Sequence, residues 1–178
     1  YTEDPNHIWL GTAEKGLYLV KFNDSGEEDI YNYYKNPYNN SSLLDDNVVS
    51  IYEDENGVIW AGTEKGISKF DKYKQGFTTI SLNNNPDEGL IDYNVWSFAE
   101  DSLANIYIGT KKDLSIYQRD IKKFFHVYRE DGTQHYLLSI HVETPEKIWL
   151  GYDDGLYLLE IHDLLYDDYQ IKRIEFMD

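Results

Sequence analysis

One short motif occurs four times in this sequence, and this repetition limits the chain to a repeat architecture. The copies read Ile-Trp-Leu-Gly-Thr, Ile-Trp-Ala-Gly-Thr, Ile-Tyr-Ile-Gly-Thr and Ile-Trp-Leu-Gly-Tyr, with their aromatic residues at positions 9, 60, 107 and 149. Successive aromatic positions are 51, 47 and 42 residues apart, and such periods are typical of solenoids and propellers. One structural element therefore recurs about every 45 residues.

Each motif lies between short runs that are rich in β-branched and aromatic residues. Glycine follows the motif at Gly16, Gly66 and Gly155, with Asp113 at the equivalent position of the third copy, and this pattern predicts a hairpin. Further β-prone runs precede and follow the hairpins, at residues 48–54, 95–101 and 137–142 and at residues 30–34, 77–82, 124–128 and 171–176. Four strands per copy predict the antiparallel meander of a propeller blade.

The fold class that follows is all-β, a β-propeller fragment of about four blades. The blades cover approximately residues 1–44, 45–85, 86–130 and 131–178. Residues 1–4 align with residues 51–54, so the first blade is incomplete and begins within its innermost strand. We expect that the chain cannot close a ring alone, that it pairs with the remaining blades of a longer parent chain, and that its two apolar faces make the isolated segment self-associate.

The repeated aromatic and glycine residues are interpreted as structural, because every blade meets the same kind of neighbour. These residues are Trp9, Trp60, Tyr107 and Trp149, with Gly11, Gly62, Gly109 and Gly151. Residues 54–57, Asp-Glu-Asn-Gly, lack the ligand spacing of a calcium loop and predict a turn.

Composition excludes several classes of partner. A formal net charge of −17 disfavours nucleic acid. The absence of cysteine excludes disulfides and thiolate metal sites, and no cofactor or metal site is predicted. No apolar run reaches the roughly 20 residues that span a bilayer, so we expect membrane contact only through the parent chain.

A ligand is expected at the end of the blades where the turn between the second and third strands meets the connection from the preceding blade. The candidate ligand-binding residues there are Tyr93, Asn94, His135, Tyr136 and Tyr152. Tyrosine rings offer planar surface and polar side chains offer hydrogen bonds, the combination that a sugar requires. The alternative is that these side chains are ordinary solvated loop residues.

Residues 48–67, Val-Val-Ser-Ile-Tyr-Glu-Asp-Glu-Asn-Gly-Val-Ile-Trp-Ala-Gly-Thr-Glu-Lys-Gly-Ile, resemble the two-component regulator propeller repeat. The third and fourth copies depart from it at Tyr107, Asp113 and Tyr152. The resemblance implies the extracytoplasmic, periplasmic sensing region of a hybrid two-component histidine kinase and response regulator, with oligosaccharides as the expected ligands.

Two other functions stay open. One is a propeller glycan hydrolase or lyase, although no catalytic residue is predicted because the acids are scattered over turns rather than paired across a site. Arg119, Arg129 and Arg173 lie in the outer half of their blades, so we expect their side chains to point away from the blade axis and to form no arginine cluster. The other is a protein-interaction scaffold, whose Gly-His and Trp-Asp signature this repeat lacks.

Overall fold

The computed structural model describes residues 6–71, 76–83, 85–129 and 132–175. The chain divides into two compact units, the first formed by residues 1–81 and 93–95 and the second by residues 82–92 and 96–178. The predicted inner strand at residues 1–4 lies outside the described residues.

The first unit contains two antiparallel sheets whose strands follow chain order. The first sheet has three described strands, β1 (His7–Gly11), β2 (Leu17–Phe22) and β3 (Glu28–Tyr33). The second sheet has four strands, β4 (Val48–Glu53), β5 (Ile59–Thr63), β6 (Gly66–Asp71) and β7 (Gly76–Ile80). Buried apolar side chains of both sheets and of the connection between β3 and β4 form one core cluster, among them Trp9, Leu17, Leu43, Ile59 and Phe77.

The second unit repeats this arrangement with two four-stranded sheets. The third sheet consists of β8 (Val95–Glu100), β9 (Ile106–Thr110), β10 (Asp113–Gln118) and β11 (Lys123–Val127). The fourth consists of β12 (Leu137–Thr144), β13 (Lys147–Tyr152), β14 (Gly155–Asp163) and β15 (Asp168–Arg173). Their core contains Tyr107, Leu114, Leu137, Leu150 and Leu159. Short 3-10 turns at Pro86–Glu88 and Leu164–Tyr166 are the only described helical segments.

The all-β fold of blade-like meanders is therefore confirmed. The four motifs form β1, β5, β9 and β13, the second strands of the predicted blades. The predicted turn at residues 54–57 is also present, because Asp54 Oδ1 accepts the backbone N–H groups of Asn56 and Val58, each at 3.0 Å. Gly57 adopts φ +70° there, a conformation that glycine reaches without strain.

The motif glycines mark places where strands approach closely. Gly62 pairs with Ser50 across β4 and β5, and a Cβ added at Gly62 would lie 2.8 Å from Val95 Cγ1. Gly109 is equally confined, because its Cβ would lie 2.8 Å from the Leu137 carbonyl oxygen. Ser50 and Ser97 use the same space to donate hydrogen bonds to the carbonyls of Val95 (3.1 Å) and Leu137 (2.9 Å).

Candidate functional site

The repeated aromatic residues make the same contact in three blades. Trp60 Nε1 donates to Asp54 Oδ2 at 2.8 Å, and Trp149 Nε1 donates to Glu143 Oε2 at 2.9 Å. In the third sheet the Tyr107 hydroxyl donates to Asp101 at 3.1 Å. Burial, followed by the Asp101 carboxylate, raises the pKa of Tyr107 far above its ordinary value. Each ring therefore ties its strand to an acid six residues earlier, while Trp9, Trp60 and Tyr107 are buried and Trp149 is half-buried.

The connection before β12 meets the β13–β14 turn in the second unit. The backbone N–H of Asp153 donates to the Tyr136 carbonyl at 3.1 Å, and the Tyr136 N–H donates to Asp153 Oδ1 at 3.2 Å. His135 Nδ1 lies 2.9 Å from Asp153 Oδ1. The Tyr136 ring packs edge-on against Trp96, with centroids 5.4 Å apart. This contact holds two candidate ligand residues against the turn that follows a third, Tyr152.

Arg129 fixes the same turn through its neighbour Asp154. The Arg129 guanidinium and the Asp154 carboxylate form a bidentate ion pair, with an Nη1–Oδ1 distance of 3.0 Å and an Nη2–Oδ2 distance of 3.1 Å. The guanidinium carbon also lies 4.9 Å from the Tyr152 ring centroid and 4.4 Å from that of Tyr157. The Tyr157 hydroxyl donates to Asp154 Oδ2 at 2.8 Å, and Arg173 Nη2 donates to the Asp154 carbonyl at 2.8 Å.

These contacts set the charge state of Asp154. Partial burial acts to raise the pKa of Asp154, but the hydrogen bonds from Arg129 and Tyr157 outweigh it and hold that pKa below its ordinary value. Burial and the bond to Asp154 raise the pKa of Tyr157. Asp154 is therefore a carboxylate and Tyr157 a neutral donor over the ordinary pH range.

A cleft of about 690 Å³ opens beside this ion pair, and we name it the second-unit cleft. Its lining residues are Tyr128, Arg129, Thr133, His135, Asp154, Tyr157, Tyr169, Gln170, Ile171, Lys172 and Arg173. The backbone N–H of Tyr128 donates to the Tyr169 hydroxyl at 3.1 Å, which joins the outer strands β11 and β15. The cleft therefore combines aromatic rings with cationic and neutral polar groups and with the Asp154 carboxylate.

The five predicted ligand residues fall in both units. His135, Tyr136 and Tyr152 gather around the β13–β14 turn, and His135 lines the second-unit cleft. Tyr152 is buried, stacked against Arg129 and set edge-on to Tyr157 with centroids 5.3 Å apart. Tyr93 is exposed and Asn94 half-buried, and both belong to the first unit. A ligand role for these five residues stays a prediction.

The same turn brings three potential metal-ligating side chains together. Ligand atoms of His135, Asp153 and Asp154 all lie within 4.8 Å of one another. However, Arg129 engages both oxygens of Asp154, and a guanidinium at that position repels a cation. The arrangement favours an ion-pair network over a metal site.

The expectation that the arginines form no cluster is wrong at Arg129 and Arg173, which meet at Asp154. Arg129 comes two residues after β11 and Arg173 is the last residue of β15, and both reach Asp154 and line the second-unit cleft. The contacts of Arg129 and Arg173 with Asp154 cannot be read from the sequence, because the position of a residue along the blade does not fix the direction of a long side chain. The one available signal was an arginine directly after β11, where a long side chain can extend back over its own sheet.

Comparison with known proteins supports the repeat and the fold. Residues 42–65 match the family model described as two component regulator propeller. No curated protein sequence matches the chain. Over 97% of its length, the chain is similar to two structures of the extracellular domain of BT4673 from B. thetaiotaomicron. In the first of these structures the domain is described as part of a putative hybrid two component system, with 20% sequence identity and a TM-score of 0.72. In the second it is described as part of a putative one component system, with 21% identity and a TM-score of 0.70.

The chain spans 21% of the length of each of those structures. Streptogramin B lyase is a further structural neighbour, with 15% identity and a TM-score of 0.64 over 97% of this chain and 53% of that one. At these identities the likeness concerns the fold. The described part of the chain has no helix whose length and hydropathy would let it cross a bilayer. The resemblance to two-component regulator propellers is thus confirmed, by the repeat at residues 42–65 and by the fold of nearly the whole chain.

Proposed function

We propose that this chain is a segment of the extracytoplasmic sensing region of a hybrid two-component regulator and that its ligand is an oligosaccharide. The observation that carries the proposal is the two component regulator propeller match at residues 42–65. The similarity of its fold to that of the extracellular domain of BT4673 from B. thetaiotaomicron supports the proposal. In this proposal the segment lies in the periplasm, and the histidine kinase and membrane anchor belong to other parts of the parent protein.

The second-unit cleft is the site that we assign to the ligand. Tyr128 and Tyr169 supply ring surface for the C–H face of a sugar, and Gln170 and Arg173 supply donors for its hydroxyls. Arg129 lines the same cleft, and Asp154 already neutralises its charge. A site with a fixed ion pair and exposed polar groups around it is preorganised, which lowers the ordering cost of binding.

The arrangement of carboxylates supports binding rather than glycan cleavage. Glycosidases need two carboxyl groups that face each other across the scissile bond, roughly 5–10 Å apart. Asp154 is the one carboxylate among the described lining residues of the second-unit cleft, and Arg129 and Tyr157 engage both of its oxygens. The lyase among the structural neighbours shares the fold at 15% identity, and no catalytic assignment is transferred from it.

Calorimetry with matched variants tests the assigned site. Tyr169→Ala and Arg173→Gln remove cleft groups, and Tyr166→Ala serves as the control because Tyr166 is 81% exposed and does not line the cleft. We expect each cleft variant to weaken binding of a recognised oligosaccharide by about tenfold, the effect of losing one ring contact or charge-assisted hydrogen bond. If all three variants keep their thermal stability and bind the oligosaccharide with equal affinity, the second-unit cleft is not the binding site.

Self-association is the second part of the proposal. Leu10 and Ile30 in the first unit and Leu138 in the second are exposed apolar residues on strands, and contiguous exposed apolar surface favours association. We propose that the remaining blades of the parent chain cover them and that copies of the isolated chain cover one another. Light scattering after size exclusion should show a mass above that of a 21.0 kDa monomer. A stable monomer at all concentrations would contradict this part.

A further inference from the structure

The first unit has a cleft of its own, with a volume of about 430 Å³, which we name the first-unit cleft. It lies between the outer part of the first two sheets and the connection from β3 to β4. Its described lining residues are Asn32, Tyr33, Tyr34, Asn36, Asn39, Ser41, Ser42, Leu43, Phe70, Gly76 and Phe77. Neither the repeat motif nor the candidate ligand residues include any of them.

The charge of this lining is its most informative property. Charged residues make up 28% of the chain, yet none of the described residues that line the first-unit cleft carries a charge. The described lining of the second-unit cleft, by contrast, includes Arg129, Asp154, Lys172 and Arg173. A cleft without charge gives an ionic ligand no compensation for the water that it loses. The part of the lining that the structure describes therefore favours an uncharged ligand over an ionic one.

The floor of the first-unit cleft is a packed aromatic cluster. Tyr33 and Phe70 have ring centroids 5.4 Å apart, and Phe77 lies 5.5 Å from Tyr33 and 5.2 Å from Phe70. Phe77 and Leu43 are buried, so this floor is held in place by the core beneath it. Tyr34 differs from these residues because it is 58% exposed. Its ring is available to a ligand without disturbing the core.

The rim of the first-unit cleft supplies hydrogen-bond donors. Asn36 Oδ1 accepts the Tyr38 N–H at 3.0 Å, and Asn39 Oδ1 accepts the Ser41 N–H at 2.9 Å. The loop thus uses the oxygen of each side chain, and neither Nδ2 amide group has a partner among the residues that the structure describes. Burial raises the pKa of Tyr33, so its phenol also stays protonated and can donate.

We propose that the first-unit cleft binds a neutral sugar residue, with the ring against Tyr34 and the aromatic floor and its hydroxyls hydrogen-bonded to Asn36 and Asn39. Aromatic faces with uncharged donors are suited to a ligand that has both an apolar C–H face and many hydroxyl groups. This inference goes beyond the proposed function, because it concerns a second site that differs in chemistry from the second-unit cleft. It stands whether or not that cleft binds a ligand.

Binding is measured by calorimetry on the 178-residue chain. The neutral probes are cellotetraose, xylotetraose, mannotetraose and maltotetraose, and the acidic probe is tetragalacturonate. We expect at least one neutral probe to bind with a Kd of about 1 mM or tighter and tetragalacturonate not to compete for that site. If no neutral probe binds at about 10 mM, where such a site would be mostly occupied, the inference is wrong.

Two variants locate the binding, and one matched variant controls for the loop. Asn39→Asp keeps the oxygen that accepts the Ser41 N–H but replaces the amide donor with a negative charge. Tyr34→Ala removes the exposed ring. The control is Tyr38→Ala, because Tyr38 lies in the same loop, is 96% exposed and does not line the cleft.

We expect Asn39→Asp and Tyr34→Ala each to weaken binding of the neutral probe by about fivefold to tenfold, and Tyr38→Ala to leave it within about twofold. Binding that both cleft variants leave unchanged would overturn the inference. Loss of binding in Arg173→Gln together with unchanged binding in Tyr34→Ala and Asn39→Asp would assign the sugar to the second-unit cleft alone. Failure of this inference is therefore distinguishable from failure of the proposed function.

Discussion

Replacing Arg129 with methionine should destabilise the chain by about 2–4 kcal/mol. Removing one partner of a buried ion pair costs about 3–5 kcal/mol, because the other charge is left without compensation. The Arg129 side chain is 5% exposed but that of Asp154 is 23% exposed, so water recovers part of this cost. Loss of the cation from the Tyr152 and Tyr157 rings adds roughly 0.5–1 kcal/mol.

Urea denaturation of the Arg129→Met chain measures this cost. Asp154→Asn completes a double-mutant cycle, in which we expect a coupling energy of about 1–3 kcal/mol. Lys123→Met is the matched control, because Lys123 and Asp87 also form an ion pair in the second unit but both side chains are 53% exposed. That control should change stability by less than about 1 kcal/mol. If Arg129→Met costs no more than Lys123→Met, or if the cycle is additive, the turn is not held as we describe.

Three further results are expected from denaturation experiments. Gly109→Ala should cost about 1–3 kcal/mol, because the new Cβ would lie 2.8 Å from the Leu137 carbonyl oxygen; a neutral change would contradict the close approach. Trp60→Phe should cost about 1–3 kcal/mol by leaving Asp54 Oδ2 buried without the indole donor, and unchanged stability would show that the bond contributes nothing. Because the folded pKa of Asp154 lies below its ordinary value, its stabilising contribution is present above that value. The contribution should fall as the pH drops below about 5, and Asp154→Asn should flatten this dependence.

Much of the fold could be predicted from the sequence because each blade repeats the same local chemistry. The motif at residues 59–63 forms β5, in which all five residues are buried, and Asn-Gly at positions 56 and 57 forms the turn before it. The acid that pairs with each motif ring was not predicted, although Asp54 and Asp101 each precede their ring by six residues. That spacing becomes meaningful only when the turn folds back.

The candidate sites were harder to predict than the fold. Arg129 and Asp154 are 25 residues apart and lie after β11 and β13, so no local pattern links them, and the chain offers 33 acidic residues as alternatives. The first-unit cleft depends on the path of the β3–β4 connection. The side-chain oxygens of Asn36 and Asn39 accept the backbone N–H groups of Tyr38 and Ser41 and so set that path. The aromatic floor comes from three separate strands.

The fate of a bound oligosaccharide tests the central claim most directly, because sensing requires binding without turnover. The chain is incubated with each probe that gives saturable heat in calorimetry, and the sugar is then analysed by chromatography. We predict saturable binding and complete recovery of the intact oligosaccharide. Release of shorter or unsaturated fragments would identify an enzyme, and the absence of saturable binding to every probe would contradict a ligand-sensing segment.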